Sequence, residues 1–163
     1  MLADAVLARL RTMGLSLATA ESCTGGGIGQ ALTAIPGSSD TYRGGIISYT
    51  NAIKAKLLDV SPVLLERYGA VSIPVAEAMA LGAAKALETE VAVSTTGLAG
   101  PGGDDRGNPV GTVCIACALR GEVYSKTFHF SGDREQVRAT AVEGALELVL
   151  ECIREGKYTN QTT

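Results

Sequence analysis

The chain predicts an α/β fold, a three-layer α/β/α sandwich built on a mixed, mainly parallel sheet, and three observations carry that expectation. Short apolar runs alternate with segments of helical spacing along residues 1–155. Glycine-rich turns follow several of those runs, where strands hand over to helices. Twenty glycines, many alanines, two phenylalanines and no tryptophan point to a core of Ala, Val, Leu and Ile in which helices lie close on a sheet. At 163 residues the chain reads as one domain, 1–155, followed by a frayed polar tail, 156–163.

The elements follow in order. Met1 to Met13 sets Asp4, Arg9 and Arg11 among apolar residues at helical spacing, an amphipathic helix and no cleavable signal segment. No apolar run approaches the roughly 20 residues that span a bilayer, so a cytoplasmic protein is expected. Leu15 to Ala20 is the first strand. Thr24 to Ile35 resumes helical spacing and stops at Pro36-Gly37. Gly44 to Thr50 is the second strand, and Asn51 an N-cap for a short helix, Ala52 to Leu58. Ser61-Pro62 opens a helix that ends near Gly69; Ser72 and Pro74 start a longer one, running to about Glu88. Val91 to Thr96 is the third strand, and Gly97 to Pro109 a glycine-rich loop. Val110 to Leu119 and Glu122 to Phe130 form an antiparallel hairpin about Arg120-Gly121, and Gly132-Asp133 precedes a closing helix to Arg154.

Composition narrows the function. A net charge of −3, with neither sign in a long run, argues against a broad nucleic-acid surface. The four cysteines, 23, 114, 117 and 152, are expected as reduced thiols. Cys114 and Cys117 are three apart on a predicted strand, which turns them to opposite faces and makes them packing residues rather than a metal or redox pair. The single histidine, His129, alternates with Phe128 and Phe130 and so faces away from them, toward solvent. A Ser-His-Asp triad is not expected, and neither is a catalytic metal or a cofactor.

Residues Thr19 to Gly27 read Thr-Ala-Glu-Ser-Cys-Thr-Gly-Gly-Gly, a nucleophile-rich turn at a helix start. Its glycines admit close backbone approach, and first-turn amides can bond an anion or a developing oxyanion. The same residues also read as a capped helix, with Ser22 or Thr24 accepting backbone N–H groups. Gly-x-Ser-x-Gly, the Walker lysine pattern and Gly-x-Gly-x-x-Gly are absent, which removes the familiar hydrolase, P-loop and dinucleotide readings. Ligands of open α/β sheets gather beyond the carboxyl ends of the strands, and Ser22 to Gly27, Tyr49 to Lys54 and Thr95 to Gly103 each lie there. With histidine set aside, Lys54 is the candidate base. Placed third in a helix capped by Asn51, its pKa would be lowered by the helix dipole and by burial, and the Tyr49 hydroxyl could relay or orient. The alternative is a solvated helix lysine. Amides of the Gly97 to Pro109 loop could hold a phosphate or a ring, Thr95 and Thr96 could bond a carbonyl, and Arg134 and Arg138, one helical turn apart, are surface charges or a phosphate clamp.

Taken together, Ala20-Glu-Ser-Cys-Thr-Gly-Gly26, Ser48-Tyr-Thr-Asn-x-x-Lys54, Gly69-Ala-Val-Ser72, Thr96-Gly-Leu-Ala-Gly-Pro-Gly102, Pro109-Val-Gly-Thr112 and Gly132-Asp-Arg-x-x-Val-Arg138 resemble the C-terminal domain family of the competence/damage-inducible protein CinA, in order and over nearly the whole chain. That family includes stand-alone nicotinamide-nucleotide amidases. The resemblance implies hydrolysis of nicotinamide mononucleotide to nicotinate mononucleotide and ammonia in pyridine-nucleotide salvage, with no metal. It makes Ser22 the nucleophile, Lys54 its general base and Tyr49 a helper in proton transfer. Cys23, Thr24, Gly25 and Gly26 of the turn, Asn51, then Thr96, Gly97, Gly100 and Arg138 would hold the substrate, with Gly25 to Gly27 amides facing the oxyanion. Together with the amphipathic first helix it favours a homodimer or higher homo-oligomer. Two alternatives stand beside it: a non-catalytic nucleotide-binding module of the same fold, and an amidase that uses Cys23. Many family members carry a further molybdopterin-binding-like domain linked to ADP-ribose pyrophosphatase activity, which is not expected of these residues.

Overall fold

The computed structural model describes residues 1–155, and the expected polar tail, 156–163, lies outside the described residues. The elements are α1 (Leu2–Met13), β1 (Leu17–Glu21), α2 (Gly27–Thr33), a 3₁₀ turn (Ser38–Asp40), β2 (Tyr42–Ile47), α3 (Asn51–Leu58), α4 (Pro62–Tyr68), α5 (Ile73–Leu87), β3 (Val91–Gly97), β4 (Thr112–Leu119), β5 (Glu122–His129) and α6 (Arg134–Glu155). The sheet runs β2-β1-β3-β4-β5. β2, β1 and β3 are parallel, β4 is antiparallel to β3, and β5 is antiparallel to β4, so four of the five strands point the same way. The mixed sheet and its covering helices are those the sequence predicts.

Strand alternation builds the two outer layers. Leu17, Val91, Val93, Val113, Ile115 and Cys117 face α1, α2 and α6 in the larger core. Their neighbours Ala18, Ala20, Ala92, Ala116 and Ala118 face the other way, toward α3, α4 and α5. A sheet face of alanines matched by Ala76, Ala80 and Ala83 lets α5 lie close, which is how the small-residue composition is used. Cys114 packs on the α5 side and Cys117 on the α6 side, as their odd spacing requires, and all four cysteines are free and buried. The apolar face of α1, Ala3, Val6, Leu7 and Leu10, is buried in the α6 layer, so this helix does not by itself offer an apolar face for an oligomer contact.

Several boundaries differ from the sequence reading. α2 begins at Gly27 rather than Thr24, because Gly25 and Gly26 take φ of +58° and +102° and keep residues 22–26 in a turn. β2 ends at Ile47, leaving Ser48 to Thr50 free to turn toward the site. Thr50, not Asn51, is the N-cap of α3: its hydroxyl accepts the Ile53 amide at 3.4 Å, and Asn51 is the first helical residue. β4 starts at Thr112, two residues later than expected.

Candidate active site

β1, β2 and β3 end side by side, with Glu21 opposite Ile47 and Thr95. The three segments that follow them border one cavity of about 840 Å³, lined among others by Ser22, Tyr49, Lys54 and Gly97. The expected convergence of three distant loops is therefore present.

At its base Lys54 Nζ lies 3.0 Å from Ser22 Oγ and donates to the Ser48 carbonyl, also at 3.0 Å. Both residues are held by the sheet. The Ser22 amide donates to Thr95 O at 3.1 Å, and the Ser48 amide to Glu21 O at 2.7 Å. Lys54 is 2% exposed, and among the described residues no carboxylate pairs with it. Burial lowers its pKa from the ordinary 10.5, because an ammonium loses hydration there that the two contacts only partly replace. The expectation of a lowered pKa holds while its cause changes: Lys54 is the fourth residue of α3, and desolvation dominates.

Cys23 borders the cavity but belongs to the core, and burial pushes its thiol up to about 11, against weaker lowering by its own amide, Thr95 and Lys54. At neutral pH it is a protonated thiol, a weak nucleophile. Thr24 lies beneath the turn: Thr24 Oγ1 donates to Glu21 Oε1 at 2.7 Å and sits 2.8 Å from Thr95 Oγ1. Thr24, Gly25 and Gly26 do not line the cavity. Two of the turn's amides are bonded within it: Gly25 N–H donates to Ser22 O and Gly27 N–H to Thr24 O, both at 3.0 Å. The next two amides, Ile28 and Gly29, donate to the Glu21 carboxylate at 2.8 and 3.0 Å.

Asn51, Thr96, Gly97 and Gly100 do line the cavity, Thr96 with its hydroxyl donating to Ala70 O at 2.8 Å. Arg138 does not. Its guanidinium grips the back of the nucleophile turn, donating to Cys23 O at 3.1 Å and Thr24 O at 3.3 Å. One helical turn earlier, Arg134 borders the cavity instead, donating to Gly100 O at 2.6 Å and to the Tyr49 hydroxyl at 3.0 Å. Tyr49 is half exposed at the rim, and its hydroxyl meets Arg134 rather than Ser22 or Lys54. The loop after β3 is organised by its own polar groups: Asp104 accepts from Arg106 and Asn108, and Arg106 donates to the Glu66 and Arg67 carbonyls at the end of α4. His129 is exposed on β5, away from the cavity lining.

Sequence reasoning gave Glu21 no role, because it sits in a strand where no capping pattern marks it. It named Arg134 and Arg138 together, and choosing between them needs the direction in which α6 leaves its loop.

An α/β/α domain with a serine and a buried lysine in contact at the carboxyl ends of parallel strands is the class that fold and site define. The chain belongs to the CinA C-terminal domain family, whose model matches residues 1–153. It is 50% identical to a CinA-like protein of Thermosynechococcus vestitus over 91% of this chain and 36% of that protein. A CinA-like protein of Parasynechococcus marenigrum is 56% identical over 71% of this chain and 27% of that one. The chain thus spans about a third of the length of the curated relatives it matches. Among solved structures, a competence-damaged protein (CinA) superfamily protein of Escherichia coli superimposes with a TM-score of 0.90 at 43% identity, covering 92% of this chain and 87% of that one. The competence damage-inducible protein A of Klebsiella pneumoniae gives 0.92 at 35%, covering 94% and 95%. No helix among the described residues is long and apolar enough to cross a membrane.

Proposed function

We propose that the chain is an amidohydrolase that converts nicotinamide mononucleotide to nicotinate mononucleotide and ammonia through a serine acyl-enzyme. The observation that carries this reading is the 3.0 Å contact between a buried Lys54 amine and the Ser22 hydroxyl. Neutral Lys54 takes the Ser22 proton as Oγ attacks the carboxamide carbon. The tetrahedral intermediate then collapses: the C–N bond breaks as the Lys54 ammonium gives its proton to the amide nitrogen, which leaves as ammonia. Water, deprotonated by the same amine, attacks the ester, releases the carboxylate and restores Ser22. The amide that follows the nucleophile, Cys23 N–H, is the oxyanion donor we assign, because among the described residues no oxygen accepts it and Cys23 borders the cavity. The test is direct: the purified chain is incubated with nicotinamide mononucleotide, and ammonia and nicotinate mononucleotide are measured. Nucleotide binding without any release would favour the non-catalytic module.

The pH dependence has a definite sign. Protonated Lys54 cannot act as base, so kcat is expected to rise with pH as Lys54 deprotonates. Its lowered pKa puts the midpoint of that rise below the 10.5 of an ordinary lysine. A rate that falls with pH across that rise would contradict the assignment.

In this reading Arg134, rather than Arg138, meets the substrate phosphate at the rim, using guanidinium N–H groups beyond the two bonded to Gly100 and Tyr49. Arg134→Ala is expected to raise KM by about 10- to 150-fold, since a hydrogen bond to a charged group contributes about 1.5–3 kcal/mol. kcat should change much less. Equal losses in kcat and kcat/KM at an unchanged KM would place Arg134 elsewhere in the reaction.

A further inference from the structure

Glu21 is a buried acid that this mechanism does not use. Only 2% exposed, it ends β1 immediately before Ser22, and its carboxylate takes three donors. Oε1 accepts the Thr24 hydroxyl at 2.7 Å and the Ile28 amide at 2.8 Å, while Oε2 accepts the Gly29 amide at 3.0 Å. Thr24 continues the network to Thr95 on β3 at 2.8 Å. The Glu21 carbonyl accepts the Ser48 amide, and the Ser48 carbonyl is the second partner of Lys54 Nζ. Glu21 thus reaches the nucleophile turn with its side chain and the lysine's anchor with its main chain.

We propose that Glu21 is a positioning residue for the nucleophile: its carboxylate, through Thr24 and the first amides of α2, holds turn 22–26 in the form that sets Ser22 Oγ against Lys54. Three features support this. First, a carboxylate loses much hydration on burial, and among the described residues it has no cationic partner, so the two amides and the hydroxyl must compensate it. Those bonds only form together when residues 22–26 turn back over the side chain. Second, Gly25 and Gly26 need positive φ to make that turn, and the Arg138 guanidinium closes it from behind, 3.2 Å from where a Gly25 Cβ would lie. Third, with the α2 amides occupied from within, the turn responds to its own carboxylate rather than to the charge of a substrate. The site is thereby preset before substrate arrives.

The proposal rests on Ser22 as nucleophile but not on the identity of the substrate, and its experiment keeps the two apart. A fluorophosphonate probe reads Ser22 directly: Oγ attacks phosphorus, the P–O bond forms, fluoride leaves and Lys54 takes the proton. Labelling of the full chain is followed by intact mass across pH, for wild type, Glu21→Gln, Thr24→Val and Thr24→Ser, with thermal unfolding of each. Glu21→Gln is expected to label about 10- to 100-fold more slowly, the scale of loss that misplacing a reacting group produces. The pH midpoint should stay unchanged, because the carboxylate makes no contact with Lys54. Thr24→Val should slow labelling in the same direction, and Thr24→Ser, which keeps the hydroxyl, should restore most of the rate; this pair decides the question if Glu21→Gln does not fold.

Wild-type labelling rates in folded Glu21→Gln or in Thr24→Val would overturn the proposal. So would a wild type that is not labelled at all, or a slower rate whose pH midpoint moves, which would make Glu21 an electrostatic influence on Lys54 instead. Ammonia release from nicotinamide mononucleotide is measured on the same samples. A wild type that is labelled yet releases none fails the substrate reading alone, and the labelling ratios still decide the role of Glu21.

Discussion

Ser22→Ala is expected to bind nicotinamide mononucleotide with nearly unchanged affinity while releasing no measurable ammonia. The substitution removes one oxygen and leaves the cavity, the Arg134 contacts and the glycine loop in place. Losing a nucleophile of this kind costs at least about 10³-fold in turnover. Cys23 does not rescue it, because a thiol with a pKa near 11 is almost wholly protonated at neutral pH. Cys23→Ala should accordingly keep most of the activity. Calorimetric titration with the nucleotide, paired with an ammonia assay, measures both halves of the expectation. An active Ser22→Ala together with a dead Cys23→Ala would transfer the chemistry to the thiol.

Gly82→Ala is expected to destabilise the protein by about 2–3 kcal/mol and to lower activity as well, although Gly82 is not among the cavity-lining residues. α5 crosses the end of α3 so closely that a Cβ at position 82 would stand 1.9 Å from the Leu58 carbonyl oxygen and 2.8 Å from its carbon. Those are main-chain atoms and cannot rotate aside. Relief requires α3 and α5 to move apart, and α3 carries Lys54, so the distance to Ser22 is expected to change. For a domain of this size each kcal/mol shifts Tm by roughly 2–4 °C, so thermal unfolding and kcat on the same sample read both consequences. Unchanged values of both would mean that the α3–α5 contact does not fix the base.

Much of this was legible from local pattern. Alternation of apolar residues set each strand's faces, which is why Cys114 and Cys117 were expected on opposite sides and are found there. The rule for strand ends gathered Ser22, Tyr49, Lys54 and the glycine loop although as many as 75 positions separate Ser22 from Gly97. What escaped depends on direction or on competition between equivalent residues. Thr50 and Asn51 both cap helices well, and neither spacing nor composition separates them. Arg134 and Arg138 share a helix face at the level of sequence, but one meets the rim and the other the back of the nucleophile turn. No local pattern shows that a strand residue, Glu21, reaches into the following helix and takes the amides of Ile28 and Gly29.

The Ser22–Lys54 distance depends on the pairing of strands as well as on the turn that carries the hydroxyl. Glu21 stands opposite Ile47 on one side and Thr95 on the other, and hydrogen bonds from the next residues, 22 and 48, complete those rows. Slipping β1 by one residue against β2 would turn its side chains over and carry the hydroxyl about 3.3 Å along the strand. Anyone transplanting this pair into another scaffold must therefore reproduce two neighbouring parallel alignments together with the turn.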